Sequence, residues 1–406
     1  MTFDPVRRHA EHAGFGDVPS DLIFDAERDR PSIVDAVERI CPDIRQILAG
    51  LRQKLPVART ATEGVAGQFY RLPGHYRSLC CAIPDLADPD RLWEGDVITF
   101  KGTEPLLADF DDYLAWMMTA RFRGSDLPIG LHFPLVVNVP PGAVPLDECD
   151  REQRMAAAVH ERHLSVYGEL AQAPVPLVIH RCSPKDTIRY VDALRRHLPP
   201  QAFDRVEARA SAGCGVTVSY YPTAPIRVDD LRVLAATTPG IGIAAADGED
   251  TIAAWCRLFA RLLHLGFMPF APWNKGRGSC VDPGNACIDG GFADLLMLVP
   301  FHSIPDDRWF RLSLLASVGM LRHTIAVFAA SLRGAPPTRS DPLLEPLTQI
   351  FLQPRLLKQI ETETPPNQRP DARLLSCVKL DTLDALLTAA TADAPRDGPY
   401  AQGAGS

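Results

Sequence analysis

Between Ser32 and Leu55 the apolar side chains Ile33, Val34, Val37, Ile40, Ile44, Ile47, Leu48 and Leu51 recur every three or four residues. That spacing gathers them on one helical stripe, with Pro42 as a break. Residues 1–60 are therefore expected to form an N-terminal helical segment. From Glu63 the period changes. The run GVAGQFYRLPGHYRSLCCAIP suits strands joined by a turn, and DVITFKG, Asp96 to Gly102, is a compact β-branched strand. Helices are expected over 109–121, 150–171 and 183–198, and strands over 131–141, 174–181 and 215–222. After Asp229 the chain turns helical. The stretches 250–265 and 306–332 each place aromatic and aliphatic side chains on one face, and between them lies one segment without a regular period, 266–300.

A strand-rich first part followed by a helical second part predicts an α+β protein of two lobes, mixed over 61–228 and mainly helical over 229–390. The lobe boundary falls between Pro222 and Asp250. The end of the chain, APRDGPYAQGAGS, reads as a disordered tail over 391–406. Thirty-seven prolines favour many short elements over a repeat array.

Composition narrows the class of function. Of 406 residues, 46% are hydrophobic and 23% charged, which fits a globular chain rather than a disordered one. A formal net charge of −8 with no basic stripe argues against a nucleic-acid partner. No uninterrupted run of about 20 apolar residues suggests a membrane span. The N-terminus lacks the apolar stretch of a secretory leader, so a cytoplasmic protein is expected. Ten cysteines without a CxxC pair read as buried hydrophobes rather than a zinc site.

The richest candidate chemistry lies in PFAPWNKGRGSCVDPGNACIDGGFADLLMLVPF, 269–301. A polar, glycine-rich loop ends at Asn285, Gly290-Gly291 make a turn, and Asp294 follows. A β-hairpin there can bring Asn285 and Asp294 to one end, where their oxygens suit a hard divalent cation such as magnesium. Asp282 and Asp289 are further candidates on the same segment. The competing reading is an Asx-rich turn, in which these side chains bond their own backbone.

This order of helix, polar loop, Asn, short hairpin and Asp resembles the catalytic segment of the protein-kinase-like superfamily. The short interval is closer to selenoprotein O and to the aminoglycoside- and lipid-kinase-like families. The resemblance covers about 30 residues. It implies ATP and Mg2+ as cofactors, Asn285 and Asp294 as metal ligands, and phosphoryl or nucleotidyl transfer to a small-molecule or protein acceptor. Lys101, at the end of the 97–101 strand, would neutralise phosphate charge, with Glu104, Glu152 or Glu161 as its helical partner. Gly64 and Gly67 would cover phosphates, Lys275 and Arg277 would contact them, and Asp282 would be the base. The sequence departs from the family's pattern in three places: Cys280 stands where the loop acid belongs, the tripeptide around that acid is absent, and Leu295-Leu296 follow Asp294.

Two alternatives follow from those departures. One is a nucleotide-independent tailoring enzyme using a metal or the thiols of Cys280 and Cys287. The other is a non-catalytic nucleotide-binding pseudoenzyme. His160-x-x-His163 lacks the four-residue spacing of a zinc-protease helix and is expected on a solvated face. GIGIAAADGED, 240–250, lacks the third glycine of a dinucleotide fingerprint.

Overall fold

The computed structural model describes residues 14–17, 22–57, 69–70, 78–83, 96–102, 144–182, 204, 207–208, 213–231, 245–271, 279–332 and 374. The chain forms two compact units, one of Met1–Ala158 with Pro174–Ala224 and one of Val159–Ala173 with Pro225–Ser406. The secondary structure is mixed, and every described strand pair is antiparallel.

The first unit is built on a seven-stranded sheet. Its strands are β2 (Leu22–Asp25), β4 (Phe69–Tyr70), β5 (Ser78–Ala82), β6 (Val97–Lys101), β7 (Val144–Pro145), β8 (Val175–Arg181) and β9 (Cys214–Tyr221). The order is β2-β8-β9-β6-β5-β4, with β7 also pairing with β9. Strands β1 (Gly14–Asp17) and β3 (Lys54–Val57) form a separate pair. The N-terminal sixty residues are thus not wholly helical, and β2 ties them into the main sheet. Their helices are α1 (Ala26–Asp29), α2 (Pro31–Glu38) and α3 (Ile44–Leu51). The predicted stripe is buried at Ile33, Val34, Val37, Ile44, Leu48 and Leu51, but Ile40 is 52% exposed. The reason is local: α2 ends at Glu38, so Ile40 leaves the helical phase that would have carried it inward.

Polar contacts fasten these short helices. Asp25 caps α1 by accepting from the Glu27 backbone N–H at 3.0 Å and takes a two-pronged bond from Arg52 at 2.7 and 3.0 Å. Glu27 accepts from both Arg52 and Arg45, and these guanidinium groups hold its carboxyl below the usual range. Deeper in, the Tyr220 hydroxyl donates to Asp96 Oδ1 at 2.9 Å. Burial raises the Asp96 carboxyl, and burial together with nearby Asp96 pushes the Cys41 thiol up to about 11.

The long helix α4 (Leu146–Tyr167) belongs to both units, because the division falls between Ala158 and Val159. Its first half lies on the sheet. Side chains alternate along a strand, so Thr99 and Lys101 of β6 share a face with their partners Ser219 and Thr217 of β9. Thr99, Thr217 and Ser219 are all buried. Helix positions Cys149, Glu152, Gln153 and Ala156, spaced for one face, meet this strip. Close approach is allowed by Gly215, where a Cβ would stand 3.1 Å from Leu146 Cδ1 and 3.3 Å from Cys149 Sγ. Gly102 ends β6 with φ +100, and a Cβ there would collide with Gly215 O at 2.5 Å.

In the second unit the described elements are the end of α4, α5 (Ala245–His264), strands β10 (Phe267–Met268) and β11 (Val299–Pro300), and α6 (Asp307–Leu332). The pairing of β10 with β11 draws the ends of the aperiodic segment together. Helix α6 buries Phe310, Leu314, Val318, Leu321 and Phe328. Its stretch Trp309–Leu332 is long and apolar enough to cross a bilayer, with mean hydropathy 1.5 and 41% of that window buried. The stretch is not an unbroken apolar run, which is why the sequence reading passes over it. Two intervening arginines and a histidine hide the run from a search for unbroken apolar residues, but not from an average over it.

Candidate functional site

The irregular segment between α5 and α6 is a loop leading into a tight hairpin. Ala286 and Phe292 form an antiparallel bridge. Cys287 N–H donates to Gly291 O at 2.8 Å, Gly290 N–H to Cys287 O at 3.0 Å, and Ala293 N–H to Asn285 O at 2.7 Å. The turn needs glycine at 290, where φ is +91 and a Cβ would lie 2.3 Å from Ala254 Cβ. Gly290→Ala is expected to destabilise the second unit by roughly 2–4 kcal/mol through overpacking and backbone strain. Its urea midpoint should fall, while Gly50→Ala, which meets open space, should not lower it.

The hairpin is held from outside by side chains remote in sequence. Trp255 Nε1 donates to Cys287 O at 2.8 Å and Thr251 Oγ1 to Ile288 O at 2.7 Å. Gln172 donates to Asp289 O, and its own carbonyl accepts from Phe292 N–H at 3.1 Å. The loop before it is fixed by Thr324 Oγ1, which donates to Val281 O at 2.6 Å, and by Ser317, whose hydroxyl accepts from Phe270 N–H at 3.0 Å. Where these backbone groups are buried, as at Val281 and Cys287, they would destabilise the fold if left unpaired.

Asp282, Asn285, Asp289 and Asp294 of the segment each make a local backbone bond. Asp282 Oδ2 accepts from Ser279 N–H at 3.1 Å, and Asn285 Nδ2 donates to Ser279 O at 2.8 Å. Asp289 Oδ1 accepts from Gly291 N–H at 2.9 Å, and Asp294 Oδ1 from Leu296 N–H at 2.8 Å. This is the Asx-turn chemistry of the competing reading. It does not exhaust these groups, since a carboxylate or carboxamide has capacity for further contacts. The bond pairing Asn285 with Ala293 leaves Asp294 one register position off Asn285, an offset that in a regular ladder turns the two side chains to opposite faces. Among the described residues, no group of three or more His, Cys, Asp or Glu side chains is arranged to hold a metal. Magnesium is often held by only one or two protein carboxylates, so Asn285 and Asp294 keep the donor chemistry for that ion.

Asp282 has the most unusual electrostatics. Burial pushes its carboxyl up to about 6, while the Ser279 N–H and Arg227 pull it back and Asp229 adds to the rise. Both carboxylates close over Gly284, where a Cβ would lie 3.3 Å from Asp282 Oδ1 and 3.4 Å from Asp229 Oδ2. A carboxyl raised in the folded state keeps its proton to higher pH than the same group in the unfolded chain. Stability is then lost as pH rises from about 4 through 6. Asp282→Asn should reduce that loss by roughly 1–3 kcal/mol, read from urea midpoints of both proteins across the window.

Both loop thiols are buried, and burial pushes Cys280 and Cys287 well above the ordinary thiol range. Cys280 donates to Pro269 O at 3.4 Å. A protonated, enclosed thiol is a poor nucleophile, so this geometry disfavours loop-cysteine chemistry.

In the first unit, Lys101 Nζ meets Glu152 Oε2 at 2.6 Å, with side-chain exposures of 16% and 7%. Of the three expected partners, Glu152 makes the ion pair; Glu104 lies outside the described residues. Beside it Gln153 Nε2 donates to Ser219 Oγ at 3.3 Å, while the buried Gln153 Oε1 has no hydrogen-bond partner among the described residues. Gly64, Gly67, Lys275 and Arg277 lie outside the described residues. The expectation of a solvated His160/His163 face is corrected: both are buried, and His163 Nδ1 bonds Glu169 O at 2.7 Å. Charged neighbours in the sequence hid this: Arg162 is exposed and Arg261 half-buried, yet each bonds groups beside the buried histidines' helix. Arg162 donates to Leu265 O at 2.9 Å, and Arg261 stacks 4.5 Å over the Tyr167 ring. The contribution of Arg227 beside Asp282 had no signal in the sequence.

No protein-family model matches the chain, and no curated protein matches its sequence significantly.

Proposed function

We propose that the chain is an ATP- and Mg2+-dependent phosphoryl or nucleotidyl transferase of kinase-like, two-lobed design, acting on a small-molecule or protein acceptor. The observation that carries this reading is the enclosed Lys101–Glu152 pair, a strand lysine oriented by a helix glutamate on an antiparallel sheet. Kinase-like enzymes use that pair to hold nucleotide phosphates. Chain order supports it further. The lysine strand, the glutamate helix, two antiparallel strands, a helix, a polar loop and a hairpin ending at Asp294 follow one another in the order the resemblance implies.

In this reading Glu152 fixes the Lys101 ammonium so that it presents positive charge to phosphate oxygens. Asn285 and Asp294 supply oxygen ligands, and magnesium, when bound, neutralises charge on the transferred group. Asp282 receives the acceptor's proton, for which a carboxylate raised towards 6 is suited at neutral pH. Cys280 at the loop-acid position favours one variant of the reading, a protein that binds nucleotide without turning it over.

Thermal melting with and without ATP and Mg2+ tests the proposal. Ligand at about 100 times its dissociation constant adds roughly 2.7 kcal/mol, a rise of several degrees. That rise should be lost in Asp294→Ala. No rise at millimolar ATP overturns the nucleotide site, while a rise without product release from ATP identifies the non-catalytic variant.

A further inference from the structure

A second feature, unrelated to nucleotide binding, lies where β8 ends and β9 begins. The register of these strands runs His180 opposite Val216 and Arg181 opposite Gly215. The next pair is Cys182 and Cys214, and the pairing continues through them, because Cys182 N–H donates to Cys214 O at 2.8 Å. Directly opposed residues of an antiparallel ladder project to the same face with Cα atoms about 5.5 Å apart when they are hydrogen-bonded. That separation falls inside the roughly 4.4–6.8 Å range a disulfide spans. Neither cysteine is part of a disulfide in this structure.

We propose that Cys182 and Cys214 are a peroxide-responsive clasp that closes as a reversible cross-strand disulfide. The two sulfurs are not equivalent. Cys214 is fully buried, whereas Cys182 is partly exposed, so the oxidant reaches Cys182 first. The Cys182 thiol loses its proton and attacks one peroxide oxygen. The O–O bond breaks, and Cys182 becomes a sulfenic acid as the other oxygen leaves as water. The Cys214 sulfur then attacks the Cys182 sulfur. The S–O bond breaks and hydroxide leaves, taking the Cys214 proton as a second water. Two thiols and one peroxide thus give one disulfide and two waters, and a thiol reductant reverses the change by exchange.

Cys149 is the competing partner. Its thiol is in electrostatic range of both other cysteines, but it packs against Gly215, whose neighbours along the strand face the other way. Closing the clasp ties together the ends of a connection of about 30 residues, a loop long enough for a cross-link to restrict the unfolded chain substantially.

The test treats the full-length reduced protein with stoichiometric hydrogen peroxide, then maps peptides by mass spectrometry without reduction. The expected result is one linked peptide pair joining Cys182 to Cys214, 2 Da lighter than the separate peptides. The melting temperature should rise by roughly 5 °C or more, and dithiothreitol should reverse it. Cys149→Ser should keep both the link and the shift, while Cys182→Ser and Cys214→Ser should each lose both. A link through Cys149, an unlinked sulfenic or sulfinic acid at Cys182, or a shift that survives Cys182→Ser overturns the proposal.

Discussion

Replacing Lys101 by methionine is expected to destabilise the first unit by about 3–5 kcal/mol, because it removes the cation that lies 2.6 Å from the enclosed Glu152 carboxylate. Glu152 retains only 7% side-chain exposure, and the 2.6 Å contact supplies its charge partner. The double variant Lys101→Met/Glu152→Leu removes both charges and should recover most of that loss, since a packed apolar pair can replace a buried ion pair at little cost. Urea denaturation of the wild type, the single variant and the double variant measures the difference. If Lys101→Met alone leaves the midpoint unchanged, Glu152 is solvated and the pair is no fixed element of the site. The comparison also separates stability from function: the double variant should fold yet show no ATP-dependent rise in melting temperature.

Trp255→Ala should cost about 3–5 kcal/mol in the second unit. The indole is fully buried, meets Phe328 edge-on with ring centroids 5.0 Å apart, and donates to Cys287 O at 2.8 Å. Truncation removes apolar burial and takes one of two donors from the Cys287 carbonyl, which keeps the Gly290 N–H. Trp255→Phe keeps most of the ring and loses the hydrogen bond, so about 1–2 kcal/mol is expected from that change. Denaturant midpoints for the two variants measure the packing and the polar contributions in turn. Equal losses would mean that the Cys287 carbonyl, not the ring, dominates the anchoring.

The elements legible in the sequence were those whose signal is local. The β-branched run of β6, the alternation in β9 and the three-to-four spacing of α5 each reflect the neighbours a residue meets within its own element. The hairpin at Gly290 was legible for the same reason, since a turn is a property of consecutive residues. Strands β1 and β3 were not: residues 14–17 pair with 54–57 across 36 to 42 intervening positions, and neither carries a strong period. The polar strip under α4 was only half visible. Lys101 and its three possible glutamates could be named, but selecting Glu152 required the register of α4 on the sheet. Pattern failed most clearly at His160 and His163, both buried, where His163 lies 3.4 Å from Arg261, distant in sequence. The same holds for the hairpin's outer bonds, since Thr251, Trp255 and Gln172 carry no mark of the carbonyls they reach.

Neither compact unit is a continuous stretch of polypeptide. Residues 159–173 belong with 225–406, while 174–224 return to the first unit. A ribosome that has just made Ala173 has therefore supplied a piece whose companions are still uncoded, and must next finish β8 and β9 for the earlier unit. At about 5–20 residues per second, the final turns of α4 wait for seconds before α5 emerges. Buried histidines and the Gln172 side chain stay unclaimed during that interval. The vulnerable moment in the life of this protein is thus its synthesis, and slowing translation after codon 173 should raise its demand for chaperones more than slowing it before α4.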